Sequence, residues 1–407
     1  MEKRSLASTA RAARLILATS VIAGLAACEN GTGPGTRVDE PLDPALVAEG
    51  KEIFRSDTYG DEVFWTDTAR MHEVIESAVS PALALQVGLK VDADALPQEV
   101  KDAIVAGQVD LTDPATTVTL LKLNAVLGLR GTVENRNGRD TLTRVGITCA
   151  LCHSRVDDSF APGIGKRLDG WPNTDLNVGA IIALSPAIPA DLKAIMNGWG
   201  PGKYDPRINI DGKNTPLVIP PAYGLRNVEM ETVTAEGPVS YWNAYVAVTQ
   251  MHGQGNFSDP RLGIKVTHTP DLVTPKLRAL FEYQRSLDAP APPAGSFDAT
   301  AAARGKVVFD GKAKCASCHI PEQSFTDSNL GRLHDPSETG MSAAYALRTA
   351  NKRYRTSPLR GVWQHAPYFH DGSAATLRDV VTHYNGVLKL GLSAQEQADL
   401  AEYLKSL

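Results

Sequence analysis

Cysteine, methionine and aromatic side chains are scarce in this sequence of 407 residues: five Cys, six Met, and Phe, Trp and Tyr together at 6%. Four cysteines fall in two short clusters, Cys149-Ala150-Leu151-Cys152-His153 and Cys315-Ala316-Ser317-Cys318-His319, and the fifth is Cys28. None is left over for a structural disulfide. Positive charge is in deficit too. Lys and Arg number 41 against 46 Asp and Glu, a formal net charge of −5, and a local +3 in the first 27 residues leaves about −8 for the rest. That balance excludes the basic footprint of a nucleic-acid binder. Beyond residue 27 no run is long and apolar enough to cross a membrane as a helix. No tract is repetitive enough to read as disordered. A hydrophobic content of 43% with 21% charged residues is that of a globular chain, long enough for two or three domains.

The chain starts with basic residues through Arg14, then an apolar run from Leu15 to Ala27 that ends Leu25-Ala26-Ala27-Cys28. The run is too short to span a bilayer and has the form of an export signal, residues 1–27. Its ending resembles the bacterial lipoprotein signal, which implies cleavage before Cys28 and lipidation of that thiol. Asn30 in place of Asp implies the outer membrane, on the periplasmic face. Residues 28–43, rich in Gly, Pro and acidic side chains, form a flexible tether.

Each position of Cys-x-x-Cys-His has a chemical purpose. Thiols three residues apart share a helical turn and can add to the two vinyl groups of a haem, and the next histidine reaches the iron. Two copies in an exported chain without surplus cysteine point to two covalent haems c, at Cys149/Cys152 and Cys315/Cys318, with His153 and His319 as axial ligands. Each histidine is expected to donate its other ring nitrogen to a backbone carbonyl. An internal repeat supports two units. Gly50-Lys51-Glu52-Ile53-Phe54 matches Gly305-Lys306-Val307-Val308-Phe309, and Leu280–Leu287 matches Leu400–Leu407 through Glu-Tyr. These resemble the opening and closing helices of cytochrome c. The expected fold is mainly α: two cytochrome c-like haem domains, 44–287 and 296–407, joined by a Pro-rich linker 288–295, with little β-structure. Six positions separate Phe309 from Cys315, but ninety-five separate Phe54 from Cys149, so the first domain carries a large insertion. The insertion is expected to hold helices near 99–107 and 116–128, then a hairpin turning at Asn137-Gly138.

The stretch Tyr354 to Tyr384, containing Pro367-Tyr368-Phe369-His370-Asp371-Gly372, resembles the signature of the di-haem cytochrome c peroxidase and MauG superfamily. The resemblance implies a sixth ligand for the second haem at Tyr384, with His383 and Met341 as alternatives, and a haem-pocket place for His370. It also sets Asp169, before Gly170-Trp171, where many peroxidases have a histidine capping the first iron, which implies an open first haem. Tyr241-Trp242 and Phe257 are similar to the distal aromatics of haem-dependent rubber oxygenases. Trp199 is a candidate aromatic between the haems. Asp169, Glu229 and His252 are the candidate catalytic acids, and Asn177 marks where a calcium ion is often bound, although His365 replaces a usual ligand. Together these imply a peroxidase-like oxidoreductase of the cell envelope. Its second haem would pass electrons from a small redox protein to the first, which meets peroxide, oxygen or a small organic substrate. The alternatives are a non-enzymatic electron-transfer cytochrome and an oxygenase acting on an apolar substrate.

Overall fold

A computed structural model describes residues 41–407; the export signal, Cys28 and most of the tether lie outside the described residues. The first helix, Pro44–Ser56, begins where Asp43 accepts hydrogen bonds from the Ala45 and Leu46 amides and Pro44 takes the first helical position. A Cβ on Gly50 would lie 1.9 Å from the carbonyl oxygen of Ala279 in helix Leu277–Ser286. Only glycine permits that crossing. One turn on, Phe54 meets Tyr283 edge-on, with ring centroids 5.4 Å apart. The second half repeats the device. A Cβ on Gly305 would lie 2.0 Å from the Asp399 carbonyl oxygen, and Phe309 meets Tyr403 at 5.1 Å. Helices Ala299–Asp310 and Ala394–Lys405 are therefore a second copy of the first pair. On the last helix Leu400, Tyr403 and Leu404 are buried as the stripe requires.

Residues 288–295 form neither helix nor strand. The linker is nonetheless held, since the Pro290 carbonyl accepts from the Trp363 indole at 3.0 Å.

Within the insertion the helices run Gln98–Val105 and Pro114–Lys122. The second is shorter than its sequence pattern suggested, because Asn124 takes a positive φ of 54° and ends it. Strands Leu129–Arg136 and Arg139–Ile147 pair antiparallel around Asn137 (φ 55°) and Gly138 (φ 84°), the positive-φ pair that a tight hairpin needs. They are the longest strands of a mainly helical chain. Gly128 brings the hairpin against the first cysteine cluster: a Cβ there would sit 2.1 Å from the Leu151 Cα.

Three large apolar clusters result. Phe54, Tyr59, Trp242, Tyr245, Leu280 and Tyr283 build the first, against which Cys149 packs. The insertion builds the second, from Trp65, Met71, Ile75, Leu121 and Leu142, and it reaches Leu151 and Cys152. The third, with Phe309, Phe325, Leu377, Leu400 and Tyr403, holds Cys315 at its edge. The first Cys-x-x-Cys-His thus lies on the seam between its own helix pair and the insertion.

Candidate haem sites

Cys149 precedes a single helical turn, Ala150–His153, and no disulfide joins any of the four cysteines of the two clusters. His153 Nδ1 lies 3.0 Å from the Pro220 carbonyl oxygen. A carbonyl only accepts, so Nδ1 carries the proton and Nε2 is the nitrogen free to meet a metal. Burial lowers the His153 pKa to about 4, so the ring is neutral at physiological pH. His319 repeats the arrangement, Nδ1 being 3.1 Å from the Phe325 carbonyl oxygen, and burial lowers its pKa as well. Both histidines thus hold the carbonyl bond expected of axial ligands. Two thiols and one preset imidazole at each site fit a covalent haem.

The surroundings of the two clusters differ. Beside the second, burial and then the neighbouring Cys315 and Cys318 thiols raise the Tyr384 phenol to about 12. Its hydroxyl makes no hydrogen bond among the described residues. His383 is turned away, its Nε2 2.8 Å from the Thr339 carbonyl oxygen. Met341 packs instead against Tyr345, Ala346 and Tyr354. His370 Nε2 lies 3.1 Å from the Tyr354 hydroxyl, which itself donates to the Ser342 carbonyl. Cys318, Asp327 and His334 bring ligand atoms within 4.8 Å of one another, with His334 3.0 Å from the Asp327 carboxylate.

At the first cluster two acid candidates take on other roles. Asp169 accepts from Arg55 at 2.5 Å, Tyr283 at 2.6 Å and Ser154 at 2.7 Å, and its side chain is only 3% exposed. Its strand pairs with Ser154, the residue after His153. A carboxylate with three of its four lone-pair sites engaged in this way ties together the two crossing helices and the strand. Glu229 is exposed, its amide donating to Asn329 at 3.1 Å, so it is no buried acid over a haem. Asn177 caps helix Val178–Ala183 through Ala180, which occupies the oxygen expected for calcium.

The aromatic candidates pack into one another. Trp242 is 5.4 Å from both Tyr241 and Tyr245, and Phe257 stands edge-on to those two tyrosines at 5.3 and 5.4 Å. The Trp242 indole donates to the Glu231 carbonyl, and the Tyr241 hydroxyl to Asp259. Trp199 is buried, its indole bonded to Asn214 and its ring edge-on to Tyr204 at 5.6 Å. Burial, and then the nearby Cys152 thiol, raises the Tyr204 phenol. Its strand, Lys203–Tyr204, pairs with Leu217–Val218, and the Val218 amide donates to the His370 carbonyl. Trp199 and Tyr204 therefore occupy the ground between Cys152 and the loop that carries His370.

Three groups were missed from the sequence. Tyr204 is one. Asp61 is fully buried, accepts from the Ile147 amide two residues before Cys149, and is raised by burial to about 9. Glu231 is buried against Arg355 at 3.1 Å, and burial pushes its carboxyl up against the pull of that guanidinium. No motif marks any of them; only the folded chain brings them to the clustered cysteines or the seam.

Residues 353–385 match the RoxA-like, cytochrome c-like family, the stretch whose motif sequence reading singled out. The methylamine utilization protein MauG of Methylorubrum extorquens is 32% identical over 129 residues, covering 26% of this chain and 34% of that one. The cytochrome-c peroxidase IdrP1 of Denitromonas iodatirespirans is 28% identical over 149 residues, covering 26% and 40%. Among solved structures, hydrazine synthase of Kuenenia stuttgartiensis aligns over 47% of this chain and 73% of that one, at 21% identity and a TM-score of 0.34. The chain spans between 34% and 47% of the length of the curated relatives it matches.

Proposed function

We propose, for a chain belonging to the di-haem cytochrome c peroxidase/MauG superfamily, that haems c are attached at Cys149/Cys152 and Cys315/Cys318 and that the protein is a peroxidase-like oxidoreductase. The observation that carries this is the asymmetry of the two sites. Tyr384 stands beside the second thiol pair with an unbonded hydroxyl, while Asp169, in the capping position by sequence, is consumed by Arg55, Tyr283 and Ser154. On this reading Tyr384 would be the sixth ligand at the second site, and Asp169 would leave the first open. Haem bound at these sites supplies the electron transfer and the peroxide chemistry.

The protein's own residues set the conditions. Pro220 and Phe325 fix the tautomers of His153 and His319. Burial holds a proton on Asp61 next to the first thiol pair, making it the carboxyl best placed to give one up. Trp199 and Tyr204 offer an aromatic step between the sites. The donor is a small redox protein, and the enzyme works at the periplasmic face of the cell envelope, held by lipid on Cys28.

Purified holoprotein mixed with a reduced small c-type cytochrome is expected to oxidise it on addition of peroxide, without prior reduction of the enzyme. Absence of peroxide-dependent oxidation, together with no spectral response to carbon monoxide after reduction, would leave only an electron-transfer cytochrome.

A further inference from the structure

The insertion and the first haem domain flank an open cleft of roughly 620 Å³, lined by residues other than Cys149, Cys152 and His153. Val63 and Phe64 form one wall, Ile210, Val248 and Val266 the others, and His252 reaches into it. Val63 is 48% and Ile210 39% exposed, which makes them apolar lips open to solvent. His252 stacks on Phe64, ring centroids 3.6 Å apart and 19° from parallel, and neither of its ring nitrogens has a hydrogen-bond partner among the described residues.

The backbone around the cleft is unusual in three places. Val63–Thr68 and Val246–Gln250 are π-helical turns, a form that recurs at functional sites. His252 itself takes φ 63°, a conformation that costs a non-glycine residue energy and persists where the surroundings enforce it. That conformation sets the imidazole against Phe64 at the cleft wall. The Trp65 indole, bonded to the Met251 carbonyl at 3.0 Å, ties the two turns together.

We propose that this cleft binds a neutral, planar aromatic molecule, which lies against the Phe64–His252 pair and hydrogen-bonds the free imidazole nitrogen through a hydroxyl or ring N–H. The volume is in the range of small-molecule pockets. No carboxylate, lysine or arginine lines the space, whose other polar groups are those of Thr68, Asn209, Thr249, Gln254 and His268, so an ionic ligand would find no carboxylate, ammonium or guanidinium to pair with. A flat ring matches a stacked aromatic wall, and a hydrogen-bonding group on it matches the His252 imidazole. The insertion thereby acquires a purpose, as one side of a binding site. Val248 belongs to the same buried cluster that packs on Cys149, so the ligand would lie against that cluster. Binding does not depend on the peroxidase activity; service as the reducing substrate would.

Calorimetric titration of the full holoprotein with 4-methylphenol, benzoate and benzylammonium tests this. Saturable binding of 4-methylphenol is expected, with both ions at least about tenfold weaker and no movement of the haem absorption bands. Ile210→Glu, at an exposed lip, is expected to weaken 4-methylphenol at least about tenfold while leaving the haem spectrum and melting temperature unchanged. His252→Asn, a residue that tolerates positive φ, is expected to weaken 4-methylphenol more than toluene. No saturable binding, equal binding of the ions, insensitivity to Ile210→Glu, or a haem-band shift showing the phenol on iron would each overturn the assignment.

Discussion

At the scale of single residues, Asp61 and Tyr384 carry the consequences most open to test. Burial lifts Asp61 to about 9, so between the ordinary carboxylate range and that value the folded chain keeps a proton that the unfolded chain has released. Its contribution to stability is therefore full at acid pH and is lost as pH rises through that window, by up to about 1.4 kcal/mol per pH unit. Asp61→Asn keeps an acceptor for the Ile147 amide and removes the titration. The melting temperature of the parent is expected to fall more steeply between about pH 5 and about pH 8 than that of the variant, and parallel curves would refute a buried protonated Asp61. For the second site, Tyr384→Phe is expected to change the low-spin spectrum, whereas His383→Gln, whose parent ring is spent on the Thr339 carbonyl, leaves it unchanged. The opposite pattern would move the ligand to His383. Sequence reading anticipated a backbone carbonyl for one ring nitrogen of His153 and of His319, although Pro220, the partner at the first, comes from a distant part of the chain. It misjudged Asp169 and Glu229, because a motif position says nothing about Arg55, Tyr283 and Ser154 arriving from distant parts of the chain.

At the scale of elements, the repeated Gly and Phe positions were legible because both residues of each crossing sit at fixed helical spacing from each other. Gly305→Ala must push the Asp399 carbonyl away from a contact of 2.0 Å. A loss of about 1–3 kcal/mol in denaturant stability is expected, as for an overpacked core. Ala303→Gly on the same helix, at an exposed position, is expected to cost only about 1 kcal/mol through helix propensity. Similar losses for the two would argue against a glycine-dependent crossing. The hairpin was legible for the same local reason, through Asn137-Gly138. The end of helix Pro114–Lys122 was not, since the apolar pattern runs on past Asn124 and only the positive φ there stops the helix. The π-helical turns leave no periodic trace in sequence, so the cleft they build was invisible.

At the scale of the whole molecule, the two halves meet through buried charge. Arg348 pairs with Asp205 at 2.8 Å and Asp211 at 2.7 Å, and Arg355 with Glu231 at 3.1 Å. Arg348 and Asp205 side chains are 1% and 0% exposed, so neither charge has water to fall back on. Arg348→Met strands Asp205 in the interior and is expected to cost about 3–5 kcal/mol in denaturant unfolding. The double variant with Asp205→Asn is expected to recover much of that, and a near-neutral Arg348→Met would show the seam to be solvated. Near this seam the strand of Tyr204, on which Trp199 packs, is tied through Val218 to the His370 carbonyl of the second half. The most direct measurement is electron paramagnetic resonance of the oxidised, purified holoprotein, with the haem content counted on the same sample. Two haems per chain are expected, one high-spin signal from the open site at Cys149/Cys152 and one low-spin signal that Tyr384→Phe alters. A single haem, or two low-spin signals indifferent to that substitution, would contradict two unequal sites.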